Sequence, residues 1–294
     1  MIEQALYQHL TTQEDLIPYL TAYNSVPAVF NQKAPADTDG LWAKGAQYPR
    51  LVFFVNMQGD PARTMGGTLD VDIQCPEDGT PPEALEPVVR ELIHGWFFSG
   101  TGVTAAAQWR DSRYFTEPTE QVVGCTISFD LLAFPVMTTL KPDVIARLNA
   151  WTAAKDKLHV INYAPLPSSA WRPGNGESAV YWRLVREEPA GWIPDTFQTI
   201  WRTAIVRGHI FSQDNQMAAC VAQRLITGLY AVRRLKAEGE APVMVNRNNA
   251  YDMTVDPLRM GQLTVEATFG VIVWHANPNV FNHITTREEN QHGN

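Results

Sequence analysis

The stretch Val89–Phe97 (VRELIHGWF) returns in the second half of the chain as Ala222–Tyr230 (AQRLITGLY). Both stretches place apolar residues at helical spacing around a glycine, a pattern typical of an amphipathic helix that packs on a sheet. Other matching stretches occur in the same order on either side. They are Phe30–Pro35 with Ile161–Pro165, Arg110–Tyr114 with Arg247–Tyr251, and Ser128–Phe129 with Thr268–Phe269. A repeat of domain size indicates a tandem duplication rather than a short solenoid period.

Within each half, the hydrophobic periodicity changes in the order helix, strand, strand, helix, strand, strand. In the first half, the apolar run Leu51–Val55 and the alternation across Thr68–Cys75 predict two neighbouring strands. Val180–Val185 and Thr203–Phe211 occupy the corresponding places in the second half. We therefore predict an α+β fold made of two tandem copies of a small domain, each with a mostly antiparallel β-sheet and helices packed on one face.

The repeat also sets the predicted domain boundaries. Residues 1–134 form copy 1, residues 135–142 form a linker, and residues 143–276 form copy 2. Asp143, just ahead of an apolar-periodic run, is a helix-start signal at the beginning of copy 2. Residues 277–294 are polar, and we expect them to form a flexible C-terminal tail.

Charge and cysteine content limit the classes of function. The 23 basic and 31 acidic residues give a net charge of −8, which argues against electrostatic binding to nucleic-acid phosphates. The three cysteines, Cys75, Cys125 and Cys220, form no paired motif, as expected in a reducing compartment. The sequence shows no secretion-signal pattern and no apolar run of the roughly 20 residues that a membrane helix needs. We therefore expect a protein made and used inside a cell, or packed into an assembly formed there.

Motifs that carry catalytic or ligand chemistry are missing from the sequence. The seven histidines lack metal-ligand spacing, and no nucleotide-binding or nucleophile motif occurs. We therefore predict no catalytic residue, no cofactor and no metal. Asp70 and Asp72, which share one face of a strand, are the candidate for a paired-carboxylate site, and two solvated acids are the simpler interpretation.

Two further features suggest contact surfaces. Arg110 with Tyr114, and Arg247 with Tyr251, recur in matching positions. In one interpretation such a pair binds an anion, and in the other it braces the last hairpin or a subunit contact. Several aromatic residues lie in segments rich in proline and glycine, where they either anchor a loop or contact a partner chain. They are Trp42, Trp171, Trp192 and Phe197.

Short motifs in both halves resemble those of the tail completion, or tail terminator, proteins of bacteriophages with long non-contractile tails. The first half carries them at Val29–Pro35 and Tyr48–Arg50, and the second half at Val160–Pro165. The second half departs from the pattern, because no Tyr-Pro-Arg equivalent lies near Ser178. The resemblance extends over residues 2–276 as two units.

The resemblance implies a structural virion protein of the tail or neck that is assembled in the host cytoplasm. Proteins of this family form a ring that ends the tail tube and joins it to the head connector. Two units per chain then imply either a trimeric pseudo-hexamer or a hexamer. The expected partners are the chain itself, the tail tube protein and the head–tail connector protein. Genomic DNA would pass through the lumen without specific binding, and no membrane contact is expected.

Corresponding loops of the two units, Asn56–Gly67 and Glu187–Asp195, are the predicted rim or neighbour contacts. The candidate ring or partner contacts are Asp60, Arg63, Trp192, Arg110, Tyr114, Arg247 and Tyr251.

Two other classes of function stay open. A duplicated tail tube or baseplate-hub protein would also use β-rich units, and a tube protein would extend into filaments instead of stopping at one closed ring. An enzyme with one active and one degenerate copy would need a carboxylate or histidine cluster in a single copy. Asp70 with Asp72 is the candidate for such a cluster.

Overall fold

The computed structural model describes residues 2–43, 46–58, 65–100, 103–196, 198–237 and 240–273. These residues form an α+β fold with four α-helices and two large, mostly antiparallel sheets. In the first half the elements are α1 (Ile2–Thr11), β1 (Ala22–Tyr23), β2 (Val26–Pro27), β3 (Val29–Asn31), β4 (Arg50–Met57), β5 (Met65–Pro76), α2 (Pro82–Ile93), β6 (Phe97–Gly100), β7 (Val103–Glu117) and β8 (Val122–Phe134). In the second half they are α3 (Val144–Ala153), β9 (Leu158–Val160), β10 (Ala170–Trp171), β11 (Ser178–Pro189), β12 (Thr199–Ser212), α4 (Asn215–Val232), β13 (Arg234–Leu235), β14 (Val243–Val245), β15 (Ala250–Tyr251) and β16 (Leu263–Ile272).

The two large sheets connect their strands in the same order. The first sheet runs β3-β4-β5-β8-β7-β6 and the second runs β9-β11-β12-β16-β14-β13, with β15 also paired to β16. In each sheet the short edge strand, β3 or β9, is parallel to its neighbour. The other strand pairings among the described residues are antiparallel. One helix precedes the edge strand, and another follows the third strand, in both halves.

The long strands confirm the periodicity read from the sequence. Leu51–Val55 lies within β4 and Thr68–Cys75 lies within β5, and their counterparts lie within β11 and β12. Along β5, Val71 is fully buried while its neighbours Asp70 and Asp72 are half-buried on the other face. This is the burial expected when successive residues of a strand point to opposite faces.

Helices α1 and α2 pack on one face of the first sheet. Leu6 of α1 and Val89 of α2 are fully buried in one apolar cluster with strand residues such as Val71 and Ile127. The face of the first sheet that carries these helices therefore forms the first core. Burial of apolar surface of this kind is the main favourable contribution to the free energy of folding.

Helices α3 and α4 form the second core in the same way. Leu148 and Leu225 are fully buried against the second sheet. The predicted helix start at Asp143 is confirmed, because its carboxylate accepts hydrogen bonds from the backbone N–H groups of Ile145 and Ala146, at 2.9 and 3.2 Å. Such a cap satisfies helix N–H groups that have no partner within the helix.

One strand crosses between the halves. β10 follows the predicted linker in the chain, yet it pairs with β6 and so extends the first sheet. The sequence patterns did not predict that β10 joins the first sheet. The domain boundaries placed at residues 135–142 remain a prediction. The two halves are joined across these residues, because β10 of the second half pairs with β6 of the first.

Candidate functional site

The junction between the halves begins with backbone pairing. Ala170 and Trp171 of β10 lie opposite Phe98 and Phe97 of β6. The backbone N–H of Ser99 also donates to the carbonyl of Ser169, at 2.8 Å. A strand of the second half thus satisfies backbone groups that would otherwise stand unpaired at the edge of the first sheet.

Aromatic rings fill the junction behind this strand. The ring centroids of Phe97 and Phe211 are 4.9 Å apart, and those of Phe134 and Tyr181 are 5.0 Å apart. These rings belong to a third apolar cluster, which lies on the faces of both sheets that carry no helix. Its buried members are Phe97, Ala106, Leu132, Phe134, Ile161, Ala179, Tyr181, Phe211 and Leu258.

Hydrogen bonds to the end of β8 fix the relative position of the halves. The Tyr181 hydroxyl donates to the carbonyl of Pro135 at 2.7 Å, and Arg183 donates to the carbonyl of Ala133 at 2.8 Å. The Asn162 side-chain amide donates to the carbonyl of Phe134. All three donors come from the second half, so the chain leaving the first sheet is held by the second.

Charged side chains form hydrogen bonds between the two halves at the border of the junction. Arg259 donates to Asp130 at 2.5 Å, and the other carboxylate oxygen of Asp130 accepts from Arg110 at 3.3 Å. Gln108 joins the same network, since it accepts from Arg259 at 3.0 Å and donates to Asp256 at 3.1 Å. Arg110, a predicted contact residue, therefore braces β7 against β8 and contributes to the junction within one chain.

The other members of the repeated Arg/Tyr pairs lie in different surroundings. Tyr114 is 52 % exposed on β7 opposite Cys125, and Tyr251 is 46 % exposed on β15 opposite Leu263. Arg247 is exposed, and its backbone carbonyl accepts from the Tyr230 hydroxyl at 2.9 Å. The Arg110 side chain thus bonds Asp130, whereas the contact at Arg247 is made by its backbone carbonyl. Both tyrosines lie on the surface of a strand next to the last strand.

The predicted loop contacts are only partly described. Trp192 is 65 % exposed in the turn that joins β11 to β12. Asp60 and Arg63 lie outside the described residues. Asp195 ties this turn to β12, because its carboxylate accepts from the backbone N–H of Trp201 at 2.7 Å.

Asp70 and Asp72 form a cross-strand ladder of hydrogen bonds. Each accepts from a hydroxyl on β8, Asp70 from Ser128 and Asp72 from Thr126, both at 2.6 Å. Burial raises the pKa of Asp72, the Thr126 hydrogen bond opposes this effect, and the charge of Asp70 adds to it. These contacts give both carboxylates a structural role in joining β5 to β8.

The junction also contains a buried histidine, His209, which no pattern in the sequence indicated as a candidate. His209 is fully buried, and its Nδ1 lies 2.7 Å from the carbonyl of Pro257, so this nitrogen carries the proton. Its Nε2 has no hydrogen-bond partner among the described residues. Burial lowers the pKa of His209 to about 4, and the hydrogen bond to Pro257 opposes the shift.

A signal for the junction was present in the sequence. The strand alternation of β8 ends at Leu131–Phe134, where four consecutive apolar residues follow Asp130. Such a run is typical of a strand segment buried on both faces. The same loss of alternation occurs at Ala179–Trp182, which lies on the other side of the junction.

No protein-family model, no curated protein and no solved structure matches this chain. Among the described residues, none of the helices combines the length and the hydropathy that a membrane-spanning helix requires. Within those same residues, no three His, Cys, Asp or Glu side chains are grouped so as to hold a metal ion.

Proposed function

We propose that this chain is a structural protein that assembles with itself into a closed ring. In that role it would terminate a bacteriophage tail tube and join it to the head connector, as the sequence resemblance implies. The proposal also takes the two halves to be tandem copies of one unit. The shared strand order of the two sheets and the matching positions of their helices support this origin.

The junction is the observation that carries the proposal. It joins unlike strands: β6, β7 and β8 of the first half contact β11 and β12 of the second half, and β10 pairs with β6. A head-to-tail contact of this kind generates a ring when its rotation closes. We infer that three chains, each contributing two units, form a pseudo-six-fold ring, because one chain already contains one such contact.

The proposed partners contact the rims of this ring. The turn between β11 and β12, with Trp192 exposed, is a candidate for contact with the tail tube protein or the head connector. Aromatic side chains of this kind are favoured in protein interfaces. The net charge of −8 is compatible with a lumen through which genomic DNA passes without adhering.

Electron microscopy of the purified full chain tests the proposal. Class averages should show closed rings with three-fold or six-fold appearance. A monodisperse monomer at high protein concentration would contradict ring formation. Open filaments would favour the second candidate, a duplicated tail tube or baseplate-hub protein, since a terminator should stop at one closed ring.

A further inference from the structure

The two large sheets end in corresponding strands, of which one is covered and the other is not. β6 and β13 hold the same place in the strand order, and each is the first strand after the second helix of its half. β10 pairs with the outer side of β6, whereas β13 has no strand on its outer side among the described residues. The second sheet therefore has an open edge at the position where the first sheet has accepted an added strand.

The backbone of β13 leaves polar groups directed at this open edge. The N–H of Val245 in β14 donates to the carbonyl of Arg233 at 2.8 Å. Alternate residues of an antiparallel strand direct their backbone groups to the same side, so Leu235 also bonds toward β14. The N–H and C=O groups of Arg234 and Lys236 therefore point outward, where an added strand would meet them.

The side chains at this edge are cationic. Arg234 and Lys236 are exposed, and they lie on the opposite face from Leu235, which is buried in the second core. Neither cation forms an ion pair with another described residue. Glu240, the described acid nearest to them in sequence, is paired with the buried side chain of Arg147. The edge thus carries two free positive charges in a chain whose net charge is −8.

The occupied edge of the first sheet has a different chemical character. β6 presents Phe97 and Phe98, and the strand that covers it is Ala170–Trp171. Positive charges at alternate positions of β13 instead favour a strand with acidic residues at alternate positions. Opposite charges directly across an antiparallel pair are favourable, and like charges are unfavourable. Charged edge residues also deter apolar strands from adding, so the cations select the partner by exclusion as well as by attraction.

We propose that β13 is the docking edge for an acidic, extended segment of a partner protein. The segment adds antiparallel to Arg234–Lys236, as β10 adds to β6, and its backbone pairs with the outward N–H and C=O groups of these residues. Its acidic side chains, at every second position, face the guanidinium group of Arg234 and the ammonium group of Lys236. This contact lies outside the junction and does not require the ring, so it goes beyond the proposed function.

Fluorescence anisotropy with labelled peptides tests this edge on the full chain. The probe alternates glutamate with valine over about eight residues, within the usual length of a strand. One control peptide has lysine in place of glutamate, and a second has N-methylated glutamates, which keep their charge but cannot donate a backbone hydrogen bond. The glutamate peptide should bind, and each control should bind about tenfold more weakly or worse. Hydrogen exchange in the segment that contains β13 should slow only with the glutamate peptide.

A charge reversal and a matched control locate the site. The double variant Arg234→Glu, Lys236→Glu should bind the glutamate peptide about tenfold more weakly and should bind the lysine peptide instead. The double variant Lys33→Glu, Arg113→Glu makes the same change in net charge at exposed positions of the first half, and it should bind as the wild type does. A reversed preference cannot result from loss of stability, so this readout does not depend on equal melting temperatures.

The outcomes separate this proposal from the proposed ring. A wild-type chain that does not bind the glutamate peptide would overturn the docking edge. Equal binding of the N-methylated peptide, or equal weakening in the control variant, would also overturn it, because the contact would then be non-specific charge attraction. Each of these failures leaves the proposed ring standing. A monomeric wild type that binds the glutamate peptide at β13 would overturn only the ring.

Discussion

Arg259 in the second half donates through Nη2 to the carboxylate of Asp130 at the end of β8, at 2.5 Å. Asp130 is only 7 % exposed, and it also accepts from Arg110 of its own half. A nearly buried carboxylate is costly unless it is paired and hydrogen-bonded. When the two halves pack correctly, the Asp130 carboxylate is therefore paired and hydrogen-bonded. The junction is held by this polar contact as well as by the packing of its aromatic rings.

Asp130→Asn should lower the free energy of unfolding by about 1–2 kcal/mol, because two charge-assisted hydrogen bonds become weaker. Urea denaturation measures the effect, and a double-mutant cycle with Arg259→Gln should give a coupling energy of about 1 kcal/mol. Arg113→Gln is the control, since its 2.9 Å ion pair with Asp111 involves a side chain that is 77 % exposed. A coupling energy of zero would show that the Arg259–Asp130 pair contributes nothing to docking.

His209 should make stability depend on pH. Well above pH 6.5 the histidine is neutral in both the folded and the unfolded chain, so its contribution to the free energy of unfolding does not change with pH there. As the pH falls from 6.5 toward 4, the unfolded chain binds a proton that the folded chain, with its pKa lowered to about 4, does not. The free energy of unfolding should therefore decrease over this window, by up to about 3 kcal/mol.

The control for this pH dependence is His209→Asn, which keeps a donor for the carbonyl of Pro257. Charged groups that face His209, namely Arg183, Arg207 and Asp256, are unchanged in this variant. Urea denaturation between pH 4 and 7 should show a shallower slope for the variant than for the wild type. Equal slopes would mean that His209 does not titrate differently in the folded and unfolded chain.

Gly124→Ala should be strongly destabilising. A Cβ at this position would lie 2.5 Å from the backbone carbonyl oxygen of Ile73 and 2.3 Å from the ring of Phe115. Backbone of a central strand cannot move freely, so we expect a loss of about 2–3 kcal/mol, as for other overpacked sites. Gly40→Ala, with nothing within 4 Å of the added Cβ, should change stability by less than about 0.5 kcal/mol. Thermal denaturation of both variants checks the difference, and equal melting temperatures would contradict it.

The junction should make the two halves unfold as one cooperative unit. Phe211→Ala removes a ring that lies 4.9 Å from Phe97 and 5.4 Å from Phe134. We expect a loss of about 3 kcal/mol and, in calorimetry, separation of one transition into two. Phe54→Ala, at a ring that is 41 % exposed, is the control and should keep a single transition. A single transition in Phe211→Ala would show that the halves are coupled by other contacts.

Local patterns in the sequence predicted most of the secondary structure. The alternation across Thr68–Cys75 gave the correct faces of β5, and Asp143 marked the start of α3. These features depend on residues a few positions apart, so they can be read without knowing the fold. The repeated helix and strand order likewise led to the α+β class.

The sequence by itself thus determined the positions of β4, β5, β11 and β12 and the start of α3, because periodicity and capping are local. It did not determine that α2 ends at Ile93 and that Phe97, the last residue of the predicted helical stretch, begins β6. Only the tertiary structure decided that Ala170–Trp171 pairs with the first sheet, that Arg110 meets Asp130 and Arg259, and that His209 is buried in the junction. Each of these contacts joins residues far apart in the chain. The packing of the two sheets determines which of these residues meet, and the spacing of residues along the chain does not indicate the pairs.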